Sequence, residues 1–371
     1  MAGLYLHIPF CKRICAYCDF VHTADLRSMD PVLDAMAAEI DRRRNFLNDR
    51  ELRTVYIGGG TPSTVSPPRL RQLVDLAARH FDTVAVGEFT VEANPDDIDD
   101  RYLRLLRRAG VNRLSLGVQS FDDDCLRLMN RRHTAAAAAD AVRRAQDAGF
   151  DNLSVDLIFG IDGFGMPVLE RSVDTLTRLG VQHVSAYHLT VENGTAFGRM
   201  VARGEMKIVG EETSEAEYMF VHDALAAAGF EHYEVSNYAL PGFRAQHNSS
   251  YWDGTEYLGI GPGAHSFNGR TRWWNAPTVA QYLAGTGSGS EEPSPAERLN
   301  ETIMTALRTA DGLDMSMLAV RYGERAAAGV MRRARRFADS GTLVSEEGRL
   351  RIPPRKFMVS DYVIASLFED E

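Results

Sequence analysis

The chain has 371 residues, 44% of them hydrophobic and 25% charged, the balance of a globular protein too long for a single ordinary core. A formal net charge of −10 argues against general nucleic-acid binding, and no apolar stretch approaches the ~20 residues of a membrane span. The opening MAGLYLHIPF lacks a basic region and a long apolar stretch, so it does not read as a secretory signal.

From the N-terminus, an apolar run at 4–8 leads directly into HIPFCKRICAYCDF, which holds Cys11, Cys15 and Cys18. Further short apolar runs at 54–57, 89–92, 113–117, 153–157 and 183–187 each end on a glycine-rich or polar string. Amphipathic stretches at 31–46, 68–80, 99–109, 135–148 and 167–179 separate them. This alternation predicts an α/β fold with a parallel sheet, as a partial (β/α)6 barrel over residues 1–190. A doubly wound open sheet is the alternative. In barrels of this kind function gathers at the C-terminal ends of the strands, where the unusual strings of this chain fall.

Residues 191–284 read as an α+β extension rich in Tyr, Trp and His, and 285–295 (GTGSGSEEPSP) as a linker. The remainder, 296–371, predicts helices at 296–307, 315–322, 327–340 and 360–368 with a hairpin within 341–352, the order of a small winged-helix-like module. In an acidic chain such a module suits packing or a lid better than DNA. The basic run Arg332, Arg333, Arg335 and Arg336 reads as a solvated helix face.

The three clustered cysteines have the spacing C-x3-C-x2-C, and a fourth, Cys125, lies a hundred residues away on a predicted helix, where an ordinary buried thiol is expected. Such a set does not make a disulfide framework and fits a reducing cytoplasm. Three thiolates suit three corners of an iron–sulfur cube, leaving one iron open to a small molecule. Lys12 and Arg13 are placed to offset the charge of such a cluster, and Tyr17 to shield its edge. The alternative, structural zinc, prefers four protein ligands, and only His7 and His22 are histidines close by.

The string LYLHIPFCKRICAYC resembles the radical S-adenosylmethionine (SAM) superfamily and, more narrowly, the oxygen-independent coproporphyrinogen III oxidase-like family. The resemblance implies a [4Fe-4S] cluster on Cys11, Cys15 and Cys18. It implies that the amino and carboxylate groups of SAM chelate the fourth iron, and that one electron cleaves SAM to a 5′-deoxyadenosyl radical. GGGTPS at 58–63 is similar to the family's glycine motif for the methionine end of SAM, where missing Cβ atoms let backbone approach a ligand. By the same resemblance Tyr5, Gly59, Gly60, Thr61, Glu92, Gln119, Arg131 and Asp156 line the SAM pocket. Glu92 and Asp156 can accept from an ammonium or ribose hydroxyls, and Arg131 can fork onto a carboxylate. Taken singly each could be structural; as an ordered set at strand ends they point to SAM. Asp162 and Phe164-Gly165 depart from the family's Gly-x-Pro-Gly loop.

Two subgroups share this scaffold. The oxidase carries an N-terminal extension and a further cysteine, where this chain has ten residues before Cys11 and Phe20 at the position of that cysteine. The haem-chaperone subgroup shares an HNxxYW string, matched here by His247, Asn248, Ser249, Ser250, Tyr251 and Trp252. The resemblance makes His247 the haem-associated residue, with Tyr251 and Trp252 offering flat surface to a macrocycle; His265 is the next candidate ligand. Read without it, His247-Asn248 would cap a turn and Tyr251-Trp252 would fill core. The implied function is a haem chaperone that takes up haem and passes it to an acceptor protein, for which a membrane-associated respiratory enzyme is the candidate. It would use an electron donor for the cluster and no nucleic acid. The alternative is an oxygen-independent coproporphyrinogen III dehydrogenase; a third class is a radical enzyme on another substrate.

Overall fold

Six strands run parallel, side by side in chain order: β1 (Ala2–Ile8), β2 (Leu52–Gly59), β3 (Glu88–Ala93), β4 (Arg113–Gln119), β5 (Leu153–Phe159) and β6 (His183–His188). The computed structural model describes residues 2–369. The crossovers carry α1 (Met29–Arg42), α2 (Pro67–Ala77), α3 (Asp100–Arg108), α4 (Asp123–Leu128), α5 (Ala135–Asp147) and α6 (Met166–Leu179). This is the partial (β/α)6 barrel that the repeats predict.

Period-two alternation sorts each strand into two faces. Leu4, Leu6, Ile8, Val55, Ile57, Val91, Leu114, Leu116 and Val155 are buried in the main apolar cluster together with helix residues such as Met36, Leu70 and Val142. The intervening residues are polar or aromatic and meet one another inside the arc. Tyr56 donates to Glu92, Ser115 to Asp156, and Ser154 pairs with His183. Arg113 is 1% exposed, and its Nε and Nη1 have no partner among the described residues. Its charge opposes the proton affinity of Glu92 and Asp156. A barrel with a polar interior therefore holds two acids near one buried cation.

After α7 (Ala196–Ala202) and α8 (Glu211–Ala227), the chain extends the sheet at both edges. At the β6 edge lie β7 (Glu231–Glu234) and β8 (Asn237–Ala239), with β8 antiparallel to β6. Beyond α9 (Gln246–Asp253), β9 (Glu256–Ile260) joins β1 in parallel. Next come β10 (His265–Phe267), β11 (Arg272–Trp274), α10 (Val279–Ala284) and β12 (Gly289–Glu291). The sheet thus has twelve strands among the described residues. The stretch read as a linker holds β12, whose Gly289 packs beneath the Trp274 ring: a Cβ at Gly289 would stand 2.5 Å from that ring. A glycine that suggests flexibility in sequence here permits close approach.

The C-terminal module holds α11 (Pro295–Leu307), β13 (Leu313–Asp314), α12 (Met315–Tyr322), α13 (Glu324–Asp339), β14 (Val344–Glu346), β15 (Arg349–Arg351) and α14 (Ser360–Ala365). Its sheet has three strands rather than the hairpin alone, because the two-residue β13 pairs with β15. Ser294 and Glu297 form a capping box at the start of α11.

Candidate functional site

At the C-terminal ends of the barrel strands, Cys11, Cys15, Cys18, Gly59, Gly60, Thr61, Glu92, Gln119, Arg131 and Asp156 border one cavity of about 310 Å3. The cysteine loop leaves β1 through Pro9 and Phe10 and is pinned by paired backbone bonds between Thr23 and both Pro9 and Cys11. Cys11 is buried, and Cys15 and Cys18 are partly exposed; no cysteine is in a disulfide. The Thr61 hydroxyl donates to Cys11 Sγ at 3.3 Å, and Arg131 Nη1 donates to Cys15 Sγ at 3.2 Å. His22 Nδ1 lies 3.9 Å from Cys18 Sγ. Burial pushes the Cys18 thiol up to about 11, so binding iron there means displacing a proton.

The glycines of the second strand end are held by contact. Gly59 has φ +113, and a Cβ there would meet the His7 ring at 2.8 Å. A Cβ on Gly60 would meet the Pro9 carbonyl at 2.8 Å and Cys11 Sγ at 3.0 Å. A side chain at either position would enter the space between the cysteine loop and β2.

Opposite lie the acids. Glu92 accepts from the Tyr56 hydroxyl at 2.7 Å and from the Gly59 amide at 3.0 Å. Burial raises its pKa to about 7, against the pull of those two donors. Burial likewise raises Asp156 to about 6, against hydrogen bonds from Ser185 and Ser115. Gln119 ends β4 at a register shift, with a left-handed φ of 72. Such a bulge at a strand end re-aims a side chain and marks strain held at a site. Arg131 also donates to Asn94 Oδ1 and the Gly117 carbonyl, while its Nε is buried without a partner among the described residues.

These residues suit an iron–sulfur cluster with three protein corners and a polar ligand on the fourth. Three thiols open onto one cavity, two have N–H or O–H donors on their sulfurs, and glycine backbone, carboxylates and a guanidinium line the rest. Among the described residues no three His, Cys, Asp or Glu side chains are gathered as ligands of a single ion.

Other expected residues lie elsewhere. Tyr5 is one layer deeper, donating or accepting through its hydroxyl with His7 Nδ1 at 3.0 Å and facing the rings of Tyr56 and His247. His247 lies at the opposite end of the barrel, 0% exposed. Its Nδ1 pairs with the Thr54 hydroxyl at 2.7 Å and its Nε2 with the Tyr251 hydroxyl at 2.9 Å. Burial, with Arg113 adding repulsion, lowers it to about 3, so the ring is neutral. Glu88 receives the amides of Gln246 and His247 and so caps the start of α9. His265 is exposed on β10, opposite Trp274. Lys12 is tied to Asp97 at 2.7 Å rather than free beside the thiols. Tyr17 borders the cavity and packs on Phe197, and Phe20, 66% exposed, stands at its rim. Cys125 is buried in α4, as expected of a packing thiol.

Arg113, Tyr56, Asn94 and Ser185 were not singled out from the sequence. Tyr56 and Arg113 sit on the inward alternation of their strands, a signal available in TVYIG and RLSLG. Asn94 directly follows the Glu92 strand in VEANPDD.

Comparison with known proteins adds a second line. Residues 5–176 match the model of the Radical SAM superfamily, and residues 294–359 that of the HemN C-terminal domain. The chain is 39% identical to a Mycobacterium tuberculosis protein named heme chaperone HemW, over 98% of this chain and 94% of that one. A Bacillus subtilis protein of the same name is 36% identical, covering 87% of each chain. Among solved structures, coproporphyrinogen III oxidase (HemN) from Escherichia coli superposes with a TM-score of 0.85. That match covers 99% of this chain and 90% of the other at 21% identity, a likeness of fold.

Proposed function

This chain belongs to the radical SAM superfamily and, within it, to the family of the haem chaperones HemW, and from that membership we infer that it binds haem and hands it to an acceptor protein. The observation that carries the inference is the 39% identity to a haem chaperone over 98% of the chain. A SAM-ligated [4Fe-4S] cluster is part of the same reading. Cys11, Cys15 and Cys18 would hold the cluster, which would supply single electrons to SAM. Gly59, Gly60 and Thr61 give backbone and hydroxyl contacts to the methionine end, and Glu92 and Asp156 accept from its ammonium and from ribose hydroxyls. Arg131, anchored on Asn94 and Gly117, carries a fixed positive charge to the Cys15 sulfur. Gln119 and Tyr5 complete the SAM assignment, Tyr5 by supporting the wall from below. The raised pKa values of Glu92 and Asp156 mean that a cationic ligand entering the cavity displaces protons from them.

Among the described residues no helix is long and apolar enough to cross a membrane. The reading places the protein in a reducing cytoplasm. It engages an electron donor for the cluster and a haem-acceptor protein. His247 is the residue that the family likeness ties to haem.

The test is turnover. The protein, reconstituted with iron and sulfide under nitrogen and supplied with SAM, a strong reductant and coproporphyrinogen III, is expected to form no protoporphyrinogen. Catalytic protoporphyrinogen formation would overturn the carrier reading in favour of a dehydrogenase.

A further inference from the structure

His247 cannot meet a haem iron in the position that the fold gives it. Its ring is 0% exposed, Nδ1 is taken by the Thr54 hydroxyl and Nε2 by the Tyr251 hydroxyl. An axial imidazole needs one nitrogen free and room for a macrocycle beside it. Haem uptake through His247 therefore requires α9 to part from β2, which gives α9 two positions, sealed and released. Beyond His247, Tyr251 and Trp252 border a cleft against the C-terminal module, so the outer half of the string already faces open space.

The contacts that hold the sealed position reach back to the cluster cavity. The Tyr56 ring lies against the His247 ring, with 5.2 Å between centroids and 25° between planes. The hydroxyl of the same Tyr56 donates to Glu92 Oε1 at 2.7 Å, and Glu92 borders the cavity. Tyr5 also faces His247, at 6.3 Å, but its hydroxyl turns to His7. Tyr56 thus touches both the histidine of the string and an acid of the proposed SAM pocket.

Two glycines make room for these contacts. A Cβ on Gly58 would stand 2.7 Å from the Tyr56 ring and 2.8 Å from the Glu92 carboxylate. A Cβ on Gly3 would stand 3.0 Å from the His247 ring and 3.0 Å from the Thr54 hydroxyl. Neither glycine has a left-handed φ, so what the missing side chain serves there is close approach.

The state of Glu92 changes when the cavity fills. Burial raises it to about 7, so without a ligand it holds a proton for much of the time near neutrality. An ammonium beside it draws out the carboxylate form. The bond from Tyr56 then becomes charge-assisted, roughly twice as strong as a neutral one, and fixes the ring over His247.

We propose that α9 is a latch and that Tyr56 is the positioning residue that sets it: a cationic ligand on Glu92 seals His247 under β2, and departure of that ligand frees His247 for haem iron. The proposal rests on the haem-carrier reading and adds to it a control by the SAM site. The coupling is reciprocal, so SAM and haem oppose each other's binding.

The test is amide hydrogen exchange of the full cluster-reconstituted chain under nitrogen, with and without SAM. It is read over residues 246–253, with α13 as a remote reference. In wild type, saturating SAM should slow exchange of α9 by about fivefold more than that of α13. Tyr56→Phe keeps the ring beside His247 and loses the hydroxyl. It should still bind SAM by equilibrium dialysis, and the extra protection of α9 should vanish. Thr54→Val, which loosens His247 without touching Glu92, should speed exchange of α9 in both states and keep the SAM response. Haem titration reads the reciprocal effect: SAM should weaken haem binding about fivefold in wild type and leave Tyr56→Phe unaffected. Equal responses of α9 and α13 in wild type overturn the latch and leave the carrier reading standing. So do a SAM response that persists in Tyr56→Phe or is lost equally in Thr54→Val, and loss of SAM binding in Tyr56→Phe. Absence of haem binding by wild type overturns the carrier reading and the latch together.

Discussion

Replacing Glu92 by glutamine should stabilise the ligand-free protein above neutral pH while removing a contact to SAM. The carboxyl has an ordinary value of 4.5 and rises to about 7 in the fold because burial penalises its charge. Between those values the folded protein holds a proton that the unfolded chain has released. Stability therefore falls as pH rises from about 4.5 to about 7 and is level above. Each pH unit of difference is worth about 1.4 kcal/mol, so the loss amounts to about 3 kcal/mol at most. Glu92 borders the cavity, and solvent reaching it there reduces the figure to about 1–3 kcal/mol. Glutamine has no such proton to lose, and it can still accept from Tyr56. Urea denaturation of both proteins at pH 5 and pH 8, without iron or SAM, measures the effect. The wild-type loss of stability between the two pH values should exceed the variant's by about 1–3 kcal/mol. Asp156, raised to about 6 with the same sign, contributes to both proteins and cancels to first order. Equal pH slopes in the two proteins would refute the claim that the fold holds Glu92 as a strained acid.

Other substitutions probe the rest of the site. Cys15→Ala should abolish the brown cluster absorbance and its iron, whereas Cys125→Ser, buried in α4, should keep both; iron analysis after reconstitution decides. Gly60→Ala places a Cβ 2.8 Å from the Pro9 carbonyl and 3.0 Å from Cys11 Sγ, and should lower reconstituted cluster content without unfolding the barrel by circular dichroism. His247→Ala strands the Thr54 and Tyr251 hydroxyls and leaves a void, so it should destabilise the chain by about 2–4 kcal/mol in urea.

What was legible in the sequence was local. Cys11, Cys15 and Cys18 lie within eight residues, and each parallel strand is a short apolar run whose polar tail lands at the same barrel end. The ordering of Gly59, Glu92, Gln119 and Asp156 in the cavity follows from that regularity. What was not legible depended on contacts across long separations. His247 and Thr54 are 193 residues apart, and nothing in HNSSYW says that the imidazole points under β2 while Tyr251 and Trp252 face a cleft. Tyr5 alternates inward correctly, yet one layer below the cavity, a depth that strand periodicity does not specify. Gly289 read as linker because glycine and serine mark flexibility, and only the Trp274 ring explains why it is a strand. Arg113 is not legible in the sequence, because a buried arginine whose Nε and Nη1 have no hydrogen-bond partner among the described residues breaks the usual rule for charges.

The central claim is that this protein carries haem, and equilibrium haem titration of the cluster-reconstituted full chain tests it most directly. Saturable binding of one haem per chain is expected, well above that of a control protein without a haem site. Haem uptake indistinguishable from that control would contradict it.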